Sequence, residues 1–142
     1  MSSEFDAFVR DVNTAPPLRK LSAMIERTNL PADIKAILMD IAALTIKVAG
    51  KVIAIGRKIL AFALDLIQAF PAMAVGAIVA LVLTSIIAGI PAVGPKLAAL
   101  LGPLLLAMGI GMGALQDMAS PGFGERVSKL VDSFKVLIGM DA

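Results

Sequence analysis

The sequence predicts an all-helical (all-α) integral membrane protein, and three observations lead to this fold class. The first is a pair of uncharged 19-residue segments, 72–90 and 97–115, separated by a short turn. The second is the composition, in which 58% of residues are hydrophobic and 17% are charged, against roughly 25% charged in a typical globular domain. The third is that apolar residues recur with a helical period in the flanking segments.

These patterns divide the chain into four parts. We expect short amphipathic helices in residues 1–30, one long amphipathic helix in 31–70, a transmembrane helical hairpin in 71–115 and an amphipathic helix in 116–142. The first helix has one apolar face made of Phe5, Phe8, Val9 and Val12. The second, after Pro17, has Leu18, Leu21, Met24 and Ile25. The last helix is predicted for Glu125 to Ile138, after a loop at 120–124, with Gly139 as its C-cap.

The two terminal regions have two open interpretations. Their helices lie on the membrane surface, or they pack on each other and on the long helix, which has apolar surface left over. The second interpretation is the favoured one, because the long helix is apolar nearly all round.

The long helix, predicted for residues 32–70, carries most of its charges in a narrow stripe. The charges in the stripe are 7, 7, 4, 7 and 7 residues apart, which at 100° per residue keeps them within an arc of about 40°. This charged seam consists of Asp33, Asp40, Lys47, Lys51, Lys58 and Asp65. It is about 48 Å long, whereas the hydrocarbon core of a bilayer is about 30 Å thick. The helix therefore lies along the interface, projects beyond it or bends, and Gly50 and Gly56 are the expected bend points.

Three interpretations of the charged seam are open. It is the hydrated side of an interfacial helix, or it lines an aqueous path shared by several copies, or it pairs with an oppositely charged partner helix or with itself in an oligomer. In the second case Lys47, Lys51 and Lys58 form stacked basic rings, which favour anions.

The hairpin consists of two apolar segments that must run antiparallel, because the turn at 90–96 is short and contains two prolines around a glycine. Each uncharged segment has about the length of a spanning helix. The basic residues before and after the hairpin are Arg57, Lys58, Arg126 and Lys129, and the turn has only Lys96. The positive-inside rule then predicts cytoplasmic termini, in a plasma or inner membrane.

Small residues in the second span are candidates for helix packing. Ala98 with Gly102, and Gly109 with Gly113, have the four-residue spacing that lets helices approach closely in lipid. They pack the two helices of the hairpin against each other, or they mediate self-association into a homo-oligomer.

Several functional classes are excluded on composition. The chain has no Cys and no His, which excludes disulfides, thiol chemistry and the standard zinc sites. No catalytic constellation is visible, so we expect no enzyme activity, no cofactor and no metal. The 13 basic and 11 acidic residues are interspersed and there is no Trp or Tyr, which argues against nucleic-acid binding.

The layout of amphipathic helix, uncharged hairpin and amphipathic tail resembles small pore-forming or holin-like membrane proteins, hairpin-inserting toxin domains and membrane-anchored assembly subunits. The first hypothesis is therefore an oligomeric pore, channel or permeabilising assembly in the lipid bilayer. The alternative is a membrane-embedded scaffold or assembly subunit that recruits a protein partner through its cytoplasmic helices. A third hypothesis is a water-soluble form that hides the hairpin inside amphipathic helices and inserts on a trigger.

Overall fold

The computed structural model describes residues 3–71, 73–91, 93–117 and 120–138. Its helices are α1 (Ser3–Asn13), α2 (Leu18–Glu26), α3 (Ala32–Ala42), α4 (Ile55–Ala69), α5 (Val75–Gly89), α6 (Gly94–Met108), α7 (Met112–Asp117) and α8 (Pro121–Phe134). Two strands, β1 (Ile46–Val48) and β2 (Lys51–Ile53), lie between α3 and α4, and a 3₁₀ turn (Lys135–Leu137) follows α8. The coarser part of the predicted fold class, a mostly helical chain, is confirmed.

A β-hairpin interrupts the region that the sequence predicts as one long helix over 31–70, so that prediction is wrong. β1 and β2 pair antiparallel, with Ile46 opposite Ile53 and Val48 opposite Lys51. The two residues between them, Ala49 and Gly50, have φ angles of 51° and 80°. Positive φ at both central positions is typical of the tight turns that match strand twist. Gly50 therefore forms a hairpin turn rather than a helix bend.

The second expected bend point, Gly56, lies in the first turn of α4, directly against the end of α3. Its backbone N–H donates a hydrogen bond of 2.9 Å to the carbonyl oxygen of Leu44. A Cβ at this position would collide with the carbonyl oxygen of Ile41 and with the backbone of Leu44. The absence of a side chain here lets α3 and α4 pack closely.

Helix α5 lies at the centre of the molecule and packs against α4, α6, α7 and α8. Its residues from Gly76 to Leu83 are all buried, and so is Ile86. A helix that is apolar on every side must be buried in a protein core or in lipid. In this structure α6, together with the amphipathic helices α4 and α8 and the short α7, provides the burial.

The two predicted spans are shorter than the sequence pattern suggests. None of the helices in the described ranges combines the length and the hydropathy needed to cross a membrane. α5 has 15 residues, about 22 Å at 1.5 Å per residue. α6 also has 15 residues and ends at Gly109, whose φ of 70° is left-handed. The prediction of one continuous helix over 97–115 is therefore wrong, since this left-handed helix end separates α6 from α7.

The terminal helices cover the core with the apolar faces that their sequences predict. Phe5, Phe8, Val9 and Val12 of α1 are all buried. The ring of Phe8 contacts that of Phe134 edge to face, with centroids 5.5 Å apart. α1 packs on α4, in the C-terminal part of the segment expected as the long helix, and α8 packs on α5. In α2, Leu21 and Ile25 are buried, whereas Leu18 is partly exposed.

Helix α8 begins earlier than predicted. The segment 120–124, expected as a loop, contains the N-cap Ser120, whose hydroxyl oxygen accepts a 3.3 Å hydrogen bond from the backbone N–H of Phe123. Pro121 occupies the first turn, where its missing N–H is tolerated. Phe123 is buried and meets the ring of Phe70 edge to face. The C-cap predicted at Gly139 lies outside the described residues.

Candidate functional site

The six residues of the predicted charged seam do not share one helical face. Asp33 and Asp40 are on α3, Lys47 and Lys51 are on the two strands, and Lys58 and Asp65 are on α4. All are exposed except Lys58, which is half-buried. The seam as a single stripe is therefore wrong, because the β-hairpin breaks the helical period between residues 42 and 55.

Two lysines of the seam bind α1 instead. The Nζ of Lys51 lies 3.3 Å from a carboxylate oxygen of Asp6, and the Nζ of Lys58 lies 3.3 Å from one of Asp11. Lys51 and Lys58, which are seven residues apart in the sequence, therefore each form an ion pair with α1. Both pairs are accessible to solvent on at least one side, and such pairs contribute little to stability.

A second set of polar contacts fixes the end of α1 to the start of α4. The side-chain amide of Asn13 donates to the carbonyl oxygen of Val52 at 3.3 Å and accepts from the backbone N–H of Ala54 at 2.9 Å. The guanidinium of Arg57 donates to the carbonyl oxygens of Asn13, Ala15 and Pro16, each at 3.5 Å. A cation beside the carboxyl end of a helix also interacts favourably with the helix dipole. Sequence reasoning missed these contacts, which join residues about 40 positions apart.

A polar groove of about 490 Å³ lies between α1, α4 and α8. Its charged lining residues are Asp11, Lys58, Asp65, Arg126 and Lys129. The guanidinium of Arg126 also lies over the ring of Phe70, 5.9 Å from its centroid. The fold thus brings the basic residues of the C-terminal helix beside the α4 end of the predicted seam.

The outward side of α6 is exposed and apolar. We define the α6 outer face as Ala98, Ala99, Gly102, Pro103 and Leu106, which are all exposed. Leu106 is 84% exposed, the largest value among the exposed large hydrophobic residues. From Leu66 to Gln116 the only charged residue is Lys96. Apart from Lys96, which is exposed in the first turn of α6, the described outward side of this helix has no charged side chain that would favour contact with water.

Of the small residues proposed for helix packing, Ala98 and Gly102 lie on the α6 outer face, Gly109 caps the end of α6 and Gly113 is in α7. Ala98, Gly102, Gly109 and Gly113 are all exposed. A Cβ at Gly102, Gly109 or Gly113 would have open space around it in the described structure. They therefore do not pack α6 against α5. The close approach between those helices is at Gly76, where a Cβ would lie 2.6 Å from the sulfur of Met108.

The described residues offer few groups for chemistry. The hydroxyls of Thr84 and Ser85 donate to the carbonyl oxygens of Ala80 and Leu81 within α5, at 2.8 and 3.0 Å. In the described ranges, no group of three or more acidic side chains is close enough to hold a metal ion. For binding, the described residues therefore offer the apolar α6 outer face and the polar groove, which contains charges of both signs.

The comparisons with known proteins return no match. No protein family, no curated protein and no solved structure is significantly similar to this chain.

Proposed function

We propose that this chain is a membrane-active protein whose copies assemble into a permeabilising pore, with the α5–α6 hairpin as the part that enters lipid. The observation that supports this proposal is the α6 outer face. A helix in lasting contact with water normally presents polar residues on its outer side. Beyond Lys96 in the first turn, the described outward side of α6 presents none, so this face suits contact with hydrocarbon or with another apolar surface.

The hairpin can exchange its protein surroundings for lipid without losing apolar burial. α5 is apolar on all sides, and lipid tails are as apolar as the side chains of α4 and α8 that cover it. The uncharged sequence continues beyond the ends of α5 and α6. Helices that lengthened to 19 residues would measure about 28 Å, close to the hydrocarbon thickness of about 30 Å.

The proposal also includes the association of several copies and the cytoplasmic location of both termini. Ala98 and Gly102 are small residues on an exposed face, and such residues let helices of neighbouring copies approach closely in lipid. The basic residues that flank the hairpin favour cytoplasmic termini. A pore of this kind does not need the charged seam as one continuous stripe.

Release of a trapped dye from vesicles of phosphatidylcholine and phosphatidylglycerol tests the proposal. We expect the unmodified protein to release the dye, and Leu106→Lys to reduce the release at equal protein density by at least about tenfold, since a lysine inside the bilayer costs about 3 kcal/mol. Val52→Lys is the matched control, because it adds the same charge at an exposed apolar residue of β2. Intact vesicles at every density of the unmodified protein would contradict the proposal, and so would equal losses in the two variants.

A membrane scaffold that recruits a protein partner is the second candidate, and the polar side of α8 favours it. Glu125, Arg126, Lys129 and Asp132 are all exposed. Arg126 and Lys129 also line the polar groove. In the dye-release assay, a scaffold binds vesicles and leaves them closed.

A further inference from the structure

An apolar cavity of about 680 Å³ lies where the start of α3, the start of α5 and the end of α6 meet. Among the residues that line it are Leu30, Ile34, Met73, Ala77, Ala107 and Met108. Every described residue of the lining is apolar. The cavity is on the inner side of α6, so it is distinct from the α6 outer face.

The size and the lining of this cavity indicate a small apolar ligand. Ligand pockets measure roughly 300–1,000 Å³ and are lined mainly by hydrophobic side chains. An apolar void of about 150 Å³ already accepts a molecule the size of benzene. A cavity several times larger, without a charged or hydrogen-bonding side chain in its lining, suits a longer hydrocarbon group.

The two methionines favour a flexible, linear occupant over a rigid one. Met73 precedes α5 and Met108 is the last residue of α6, and both are half-buried. Methionine side chains are unbranched and adapt to irregular apolar shapes. The charged end of an amphiphilic ligand has no partner in the lining and must therefore remain outside the cavity.

We propose that this cavity binds one linear acyl chain, with the polar head of the molecule outside. The chain belongs to a free fatty acid or to a single-chain phospholipid, which share this chemistry. The inference goes beyond the pore proposal and does not depend on it.

Binding of two amphiphiles with the same 12-carbon chain tests this inference. Laurate and lauroyl-lysophosphatidylcholine are titrated below their micelle concentrations into protein labelled with ¹³C at the methionine methyl groups. We expect saturable shifts of the Met73 and Met108 signals, while Met24, which does not line the cavity, stays unchanged. Saturation by laurate alone identifies fatty acids as the source of the chain, and saturation by the lysolipid identifies phospholipids.

Two variants of α6 separate the cavity from the outer face. Ala107→Phe fills the cavity, and we expect it to weaken binding by at least about tenfold, because the ring takes the place of several methylene groups. Ala99→Phe adds the same ring on the outer face and should leave binding unchanged. Met73→Trp is a second cavity-filling variant if Ala107→Phe fails to fold. Equal weakening by Ala107→Phe and Ala99→Phe, or no saturable shift at Met73 and Met108, would overturn the proposal, whatever the outcome of the dye-release assay.

Discussion

At the scale of the residue, two glycines differ in whether the fold leaves space for a side chain. A side chain at Gly56 would collide with backbone atoms of Ile41 and Leu44, whereas one at Gly124 of α8 would have open space in the described structure. We expect Gly56→Ala to lower the free energy of unfolding by about 2 kcal/mol, because backbone cannot move aside as a side chain can. Gly124→Ala should raise it by about 0.5–1 kcal/mol, since alanine favours a helix interior. Urea denaturation measures both, and a loss of stability in Gly124→Ala would contradict the open space described at this position of α8.

The sequence did not predict which glycine forms a turn and which one leaves space for a close contact between helices. The sequence pattern placed Gly50 and Gly56 inside one helix, where both would act alike as weak points. The structure separates them, since Gly50 supplies the positive φ of a turn and Gly56 supplies space. Both requirements depend on backbone neighbours that come together only when α3 and α4 fold against each other.

At the scale of the element, α1 is attached by apolar contacts more strongly than by its ion pairs. Phe8 is buried and packs edge to face on Phe134, whereas half-buried Lys58 pairs with the exposed carboxylate of Asp11. We expect Phe8→Ala to lower the free energy of unfolding by about 3–5 kcal/mol. Lys58→Gln should lower it by less than about 1 kcal/mol, with an effect that shrinks in high salt. A larger loss for Lys58→Gln than for Phe8→Ala, measured by denaturation, would show that charge rather than burial holds α1.

The amphipathic helices were predictable because the helical spacing of their apolar residues places those residues on one face, and this face packs on the core. The apolar face predicted for α1 follows directly from residue spacing, and all four of its residues are buried. In the C-terminal helix, Val127, Leu130, Val131 and Phe134 also recur with a helical spacing and are buried, whereas Ile138 is 53% exposed. The β-hairpin was missed because its strands have three residues each and lie in an apolar run. Its signals are the β-branched residues around Ala49 and Gly50, and short apolar runs do not distinguish strand from helix by period.

At the scale of the whole molecule, α5 is the element that sequence alone could not place. A helix that is apolar all round suits a membrane and a protein core equally, so its surroundings decide between them. The sequence pattern favoured lipid, because two such segments in 142 residues left little chain to cover them. In the structure α4, α6, α7 and α8 cover α5, and α6 carries Leu106, the most exposed of the large hydrophobic residues in the described ranges. The sequence therefore predicted the pairing of α5 and α6, but it did not predict which side of this hairpin is exposed.

If the hairpin enters lipid, α5 must leave α8, and a disulfide between them should prevent it. The natural chain has no cysteine, so an introduced pair would be the only thiols present. A Cβ at Gly89 would lie 2.8 Å from a γ-methyl of Val131. That methyl is one bond from the Cβ of Val131, so the two Cβ atoms are at most about 4.3 Å apart, below the upper limit of about 4.5 Å for a disulfide. We expect oxidised Gly89→Cys/Val131→Cys protein to lose dye release and to regain it when a reductant is added. The Gly89→Cys single variant should be insensitive to the reductant, which controls for effects of the thiol itself. Undiminished release by the fully oxidised double variant would show that permeabilisation does not require α5 and α8 to separate.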